Sequence, residues 1–292
     1  MLYVEPDFYK DFHCIADRCR HSCCIGWEID IDDSSYEKYC TMVGRIGDKV
    51  RRCIAAEPEP HFVLTVDERC PFLNSDGLCE IILELGEGTI CNICREHPRF
   101  YHCFPGREER GLGLCCEEAV RLLLKSDQPL RFEVRGSEDL PPDPLLDIRR
   151  DLFSILSQQD ISLSERFDAV SSLLGTKKIP FDTEHWKSFF LSLERLDESW
   201  TAALNSMDSF TEPDGISFER IAEYLLYRHF ASSESLEDAA LIVQFVYVSL
   251  CILASVDVPL EEAVRMFSAE IEYSDENISR ILDEIFVLLQ EV

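Results

Sequence analysis

Positive charge is scarce in this sequence. Its 292 residues carry 28 Lys and Arg against 56 Asp and Glu, a net charge of −28. Gripping a phosphate backbone needs a basic footprint, so charge argues against a nucleic-acid partner. The surplus acid suits a basic protein surface, or simply solubility. The N-terminus, Met1-Leu-Tyr-Val-Glu-Pro-Asp7, lacks a basic segment followed by an apolar one, so no secretory signal is expected. Long apolar runs are lacking too. The longest, Ala239 to Ala254, is interrupted by Gln244 and bounded by Asp238 and Asp257. Its sixteen residues fall short of the roughly 20 that span a bilayer, and predict a buried helix with no membrane role. The second half has almost no cysteine. Thirteen of the fourteen lie before residue 117.

Hydrophobic content of 46% and charged content of 29% describe an ordinary globular chain, long enough to bury a core and to divide in two. Without a secretory signal we expect a cytoplasmic protein, where thiols stay reduced. Clustered cysteines there point to metal ligation ahead of a disulfide framework. The densest cluster is Cys14-Ile-Ala-Asp-Arg-Cys19-Arg-His-Ser-Cys23-Cys24, four cysteines in eleven residues with Gly26-Trp27 behind them. Residues 1–13 are aromatic and acidic without a clear period, and are expected to lay an apolar strip beside Cys14. Alternation in Glu28-Ile-Asp-Ile-Asp-Asp33 predicts a short strand, with Ser34 or Ser35 capping a helix to about Met42. The aspartates lack the ligand spacing and turn glycine of a calcium loop.

A second pair is Cys70-Pro-Phe-Leu-Asn-Ser-Asp-Gly-Leu-Cys79, whose central turn signal predicts a short hairpin with a cysteine at each end. A short helix is expected over Glu80–Leu85. Leu83-Glu-Leu-Gly-Glu-Gly-Thr89 looks like a nucleotide-binding glycine turn, but Cys79 and Cys91 bracket it and leave no room for the strand and helix such a turn needs. Cys91-Asn-Ile-Cys94 is a CxxC motif, and Leu114-Cys115-Cys116-Glu-Glu opens an amphipathic helix. A thiol at that helix start is favoured as thiolate.

Three prolines in four residues, Pro141 to Pro144, close a linker expected over 126–144. Regions 1–125 and 145–292 flank it. Beyond it the periodicity predicts helices near 145–158, 162–174, 183–206, 217–231, 235–255, 259–271 and 275–290. Ser162-Leu-Ser-Glu165 reads as a capping box, Ser235 as a cap, and Pro259 as a first helical residue. Tyr224, Tyr227, Phe230, Phe245, Tyr247, Trp186 and Trp200 are expected in the core. Residues 126–292 hold 33 acids against 13 bases, so this half carries −20 of the charge. The fold class is therefore mainly α: an irregular, cysteine-rich, metal-binding N-terminal region with a short hairpin, followed by an α-helical domain.

Phe12-His-Cys14, Cys19, Cys23-Cys24-Ile-Gly-Trp27, the Cys70–Cys79 segment, Glu84-Leu-Gly-Glu87, Cys94-Arg-Glu-His-Pro-Arg99 and Cys116-Glu-Glu-Ala-Val-Arg-Leu122 together resemble the flagellin lysine-N-methylase family. Its cysteine-rich portion is described as a zinc- or iron-chelating domain. Arg149 to Arg166, Tyr224-Leu-Leu-Tyr-Arg228 and Phe267 to Ser274 look similar to it as well. His97, Glu117, Ala269 and Tyr273 stand where the family has tyrosine, proline, arginine and histidine. The resemblance implies methyl transfer from S-adenosylmethionine to lysines of flagellin, by a protein with a [4Fe-4S] cluster. It marks Cys14, Cys19, Cys23, Cys24, Cys70, Cys79, Cys94 and Cys116 as metal ligands. Cys40, Cys53, Cys91, Cys103, Cys115 and Cys251 fall outside the pattern. Soft thiolates without histidine select an iron–sulfur cluster or zinc, as one cluster with spare thiols or as a cluster plus a zinc. An acceptor lysine must shed a proton, for which Glu118, Glu270 and Glu272 are the candidate bases. From a different class, a non-catalytic zinc- or iron-binding sensor or interaction protein fits the same cysteines.

Overall fold

A computed structural model describes residues 1–137 and 143–291, and so leaves Pro141, Pro142 and their neighbours in the expected linker outside the described residues. The fold is mainly α, with thirteen α-helices among the described residues. The chain forms two compact units that interleave along the sequence. One comprises residues 1–12, 101–115 and 119–292; the other comprises 13–100 and 116–118.

A four-stranded sheet, in the larger unit except for the first two residues of strand Arg99–Phe104, is formed by Arg99–Phe104, Arg107–Leu112, Leu2–Pro6 and Phe132–Arg135, in that spatial order. Leu2–Pro6 runs parallel to Arg107–Leu112, with Val4 opposite Glu109, and antiparallel to Phe132–Arg135, with Val4 opposite Val134. Residues 2–6 thus form a central strand with Val4 buried, a strand the sequence did not predict. Glu109 is fully buried and takes the guanidiniums of Arg149 and Arg107, Arg149 Nη1 donating at 2.9 Å. This pair fixes the sheet to helix Pro144–Leu156.

Helix Leu236–Ser255 lies at the core of that unit, with nearly all its residues buried. At twenty residues it is long and apolar enough to cross a membrane, but 78% of its apolar window is buried inside the unit. Gln244 is tolerated there because both ends of its amide are used. Its Oε1 accepts from the Ile179 N–H at 3.0 Å and its Nε2 donates to Ser171 Oγ at 2.9 Å. The expected core aromatics are buried, including Trp186, Trp200, Tyr224, Tyr227, Phe230, Phe245 and Tyr247. The Ser162–Glu165 capping box is present, and Ser235 caps its helix through the Asp238 N–H.

Two helical expectations are corrected. The helix expected over 183–206 is two, Thr183–Leu191 and Glu198–Asn205. Glu270 accepts the N–H groups of Leu196 and Asp197, and Asp197 then caps the second helix, so the chain must turn between them. Pro259 is a cap before helix Leu260–Phe267, which passes into a π-helical turn, Ser268–Glu272.

The smaller unit has little regular structure. Its helices are Asp33–Thr41, Gly44–Cys53, Glu80–Leu85 and Asn92–Glu96, with a two-residue strand pair, Ile54–Ala55 and His61–Phe62. The helix over 44–53 was not expected. Of the predicted strand at 28–33 there is one isolated bridge, Asp30 to His61. Asp32 is what caps the following helix, accepting from the Ser35 N–H at 3.1 Å, so Ser34 and Ser35 are not the cap. Tyr39, Phe62, Phe72, Ile81 and Cys91 are the centre of its core. Burying such a side chain fully contributes about 1.5–3 kcal/mol.

Candidate metal centre

Cys14, Cys19 and Cys23 lie on a loop held by local turns. A single 3₁₀ turn over Ala16–Arg18 is closed by the Cys19 N–H on the Ala16 carbonyl at 3.0 Å. Cys19 Sγ donates to the His21 carbonyl at 3.4 Å. Cys116 reaches the same loop from a distant part of the sequence. It directly precedes helix Glu117–Leu124, and Glu117 Oε2 accepts the backbone N–H groups of both Arg20 and His21 at 3.1 Å. Glu117, where the resembling family has proline, is therefore the tether that seats Cys116 beside the loop. The thiols of Cys14 and Cys116 lie close enough to Cys19 and to Cys23 for their charges to act on both.

Cys24, whose thiol bonds that of Cys23, also sits with Cys70, Cys79, Cys91 and Cys94. The Cys70 N–H donates to the Cys24 carbonyl at 2.8 Å, beside a bridge between Ile25 and Arg69. The predicted hairpin is reduced to a turn with one bridge, Leu73 to Cys79. Asn74 Oδ1 accepts from the Asp76 and Leu78 N–H groups, and Gly77 takes the positive φ of +76° that the turn requires. Asp32 adds the third element, because its Oδ2 accepts the Asn92 N–H at 2.9 Å and fixes the helix that carries Cys94. Cys91 Sγ is 3.6 Å from Cys94 Sγ. Cys70 and Cys91 are buried in the Phe62–Phe72 core, with Cys24, Cys53 and Cys79 packed against it.

Burial decides how these thiols ionise. It pushes Cys19 up to about 11, with the Glu117 charge adding to the rise. It pushes Cys70 up to about 12, and it raises Cys79. Cys24 and Cys91 go the other way: Cys24 is lowered to about 7 by the bond from its neighbour Cys23, against burial, with Ser22 and the Arg69 charge assisting, and Cys91 is lowered by its bond with Cys94. Several thiolates brought together in an apolar setting need a cation to offset one another. That is the electrostatic condition a metal meets.

All fourteen cysteines are free thiols. Among the described residues, no three His, Cys, Asp or Glu side chains are arranged to grip an ion as they stand. The donor chemistry is all-sulfur in both groups and fits zinc or an iron–sulfur cluster, both of which take four thiolates. Cys91 was outside the sequence pattern, though its CxxC spacing to Cys94 is the signal that finds it. Cys40 and Cys103 are exposed, while Cys115 and Cys251 are buried in the larger unit.

The candidate bases have other partners. Glu270 is occupied by the two N–H groups of Leu196 and Asp197 at 2.7 and 2.8 Å. Glu272 lies in the π-helical turn with Arg228 at 3.4 Å and His229 Nε2 at 3.0 Å, and its carboxyl is held low by Arg228 against the effect of burial. Glu118 is buried in the first turn after Cys116. Ala269 lies in the same π turn as Glu272, and the Tyr273 hydroxyl packs against Gly113. His97 follows the Cys94 helix, and burial pushes its pKa down to about 4.

Over 135 residues the chain is 28% identical to proteins named lysine-N-methylase from Salmonella choleraesuis and Salmonella typhimurium, covering 41% of this chain and 32% of theirs. It is also 28% identical, over 145 residues, to a flagellar biosynthetic protein FliU of Salmonella muenchen, covering 46% of this chain and 83% of that one. The resemblance read from the cysteine pattern is therefore matched by named lysine-N-methylases. The chain spans about a third of the length of the two it matches. No family model matches it, and no solved structure does.

Proposed function

We propose that this chain is a protein lysine N-methylase that acts on flagellin in the cytoplasm, takes its methyl group from S-adenosylmethionine, and holds a thiolate-ligated iron–sulfur cluster. The similarity to proteins named lysine-N-methylase carries the reading. The flagellar name of a third relative supports the substrate. Cys14, Cys19, Cys23, Cys24, Cys70, Cys79, Cys94 and Cys116 are the residues that would hold metal. When bound, a cluster would supply cross-links between these loops and a redox-active centre.

In the transfer itself, the neutral lysine ε-amine attacks the methyl carbon of the sulfonium. The N–C bond forms as the S–C bond breaks, S-adenosylhomocysteine departs, and the new ammonium loses a proton to a base. Glu118, Glu270 and Glu272 are the carboxylates considered for that base, and Glu270 and Glu272 each accept bonds within the larger unit. The charge of −20 in residues 126–292 would steer a lysine-bearing surface toward the protein, an effect that salt weakens. The test is anaerobic purification, reconstitution with iron and sulfide, and incubation with flagellin and labelled S-adenosylmethionine. Label on flagellin lysines is expected. A protein that fills with zinc and transfers no methyl group is instead the non-catalytic metal protein.

A further inference from the structure

Helix Ile216–His229 begins without a side-chain cap. Its N-cap is Gly215, held at φ +87° with nothing within 4 Å of where a Cβ would stand. The Glu219 N–H closes the first turn on the Gly215 carbonyl at 3.1 Å. That leaves the N–H groups of Ile216, Ser217 and Phe218 with no acceptor among the described residues, at the positive end of the helix dipole. A cavity of about 210 Å³ lies at this end, within the larger unit. Arg166 and Glu219 line it and are 6% and 3% exposed. Arg166 Nε donates to the Ile161 carbonyl at 3.1 Å, and Nη1 to the Leu156 carbonyl at 2.7 Å and to Glu219 Oε2 at 2.5 Å. One oxygen of Glu219 is thereby committed. The other, Oε1, is buried and accepts no hydrogen bond. The exposed Asp214 and Gln159 and the buried Leu163 also line the cavity.

A buried carboxylate oxygen without a donor is costly, and a ligand that brings one is favoured there. A lone anion such as sulfate would satisfy the helix end, but it brings no donor for Glu219 Oε1 and meets the charges of Asp214 and Glu219. A lone cation would suit Oε1 but meets Arg166 and the helix end. A small group of both signs satisfies all of them. We propose that this cavity binds the α-amino acid end of a small molecule. Its carboxylate rests on the N–H groups of Ile216 and Ser217, a ready-made anion site. Its ammonium donates to Glu219 Oε1, with Asp214 adding negative charge at the mouth. The volume falls below the roughly 300–1,000 Å³ of pockets that enclose drug-sized ligands, so a larger remainder of the molecule stays outside. Two kinds of molecule present such an end: a free amino acid, and a conjugate such as S-adenosylmethionine, whose methionine carries it. Only the second source rests on the methylase reading above.

Isothermal titration calorimetry on the full chain compares L-methionine, S-adenosylhomocysteine, N-acetyl-L-methionine, which lacks the ammonium, and sulfate. L-methionine, S-adenosylhomocysteine or both should bind, one per chain, and the other two should not. Binding of L-methionine shows that a free amino acid suffices, whereas binding of S-adenosylhomocysteine alone assigns the site to the conjugate. Asp214→Lys and Glu219→Gln should each weaken that binding at least about tenfold, the loss of one charge-assisted contact. Circular dichroism reports whether each variant folds. Should Glu219→Gln unfold, the exposed Asp214→Lys and the wild-type comparison of probes decide. No binding of either zwitterion overturns the proposal. So does equal binding of N-acetyl-L-methionine or sulfate, or zwitterion binding that neither variant weakens. Binding that both variants weaken, without methyl transfer, refutes only the methylase. Methyl transfer with binding that neither variant weakens refutes only this site.

Discussion

Glu223, on helix Ile216–His229, is 1% exposed. Its Oε2 accepts the Leu130 N–H at 2.7 Å and its Oε1 accepts the Ser157 hydroxyl at 2.8 Å. Burial nevertheless pushes its pKa up to about 7, with Glu219 adding to the rise and Arg220 opposing it. The native carboxyl thus holds its proton more tightly than the unfolded chain does, where the value is 4.5. Its contribution to stability is fully present below pH 4.5 and is lost as pH rises through about 7. At about 1.4 kcal/mol per tenfold change in proton affinity, the contribution is about 3 kcal/mol. Glu223→Gln mimics the protonated acid, with an amide that can still accept from Leu130. Urea unfolding, followed by far-ultraviolet circular dichroism at pH 5 and pH 8, compares the variant with wild type. His97 titrates in both proteins and cancels in the difference. The two should agree within about 1 kcal/mol at pH 5, and the variant should be more stable by about 3 kcal/mol at pH 8. A variant destabilised equally at both pH values would refute the reasoning, because the packing would then depend on the ionised carboxylate.

Other perturbations test the frame around this. Glu109→Gln leaves both Arg107 and Arg149 without their buried carboxylate and should cost about 3–5 kcal/mol in urea unfolding. Arg149→Met leaves Glu109 its Arg107 partner and should cost less. Gly113→Ala places a methyl 2.0 Å from the Tyr273 hydroxyl and 3.0 Å from its ring, and should cost about 1–3 kcal/mol, only part of it regained in Gly113→Ala/Tyr273→Phe. Cys251→Ala, on the buried long helix of the larger unit, should keep all bound metal by elemental analysis.

The helical half was legible because its apolar residues recur at helical spacing and its caps are short, local signals. Ser162 and Glu165 announce their helix within four residues. The break at 192–197 was not legible, since its cause is Glu270, more than seventy residues further along the chain. The central strand Leu2–Pro6 escaped for the same reason, because its partners are 107–109 and 132–135. The cysteine spacing raised the expectation of a soft-metal site, and nothing in the spacing said which thiols the fold brings together. The placing of Cys116 beside the loop over residues 14–24 was hidden, because it depends on Glu117 reaching Arg20 and His21, as the placing of the Cys94 helix depends on Asp32 reaching Asn92. Those are single tertiary bonds that no local pattern encodes. Asp32 illustrates the limit twice over: with Ser34 and Ser35 beside it, only the fold decides which one caps the helix.

Methyl transfer is the most direct test of the function. Flagellin, labelled S-adenosylmethionine and the anaerobically reconstituted chain are combined, and lysine methylation is read by mass spectrometry across a range of salt concentrations. The account predicts mono- or higher methylation of flagellin lysines, at a rate that falls as ionic strength rises and disappears when the thiolates are stripped of metal. A fully metal-loaded protein that leaves every flagellin lysine unmodified would contradict it.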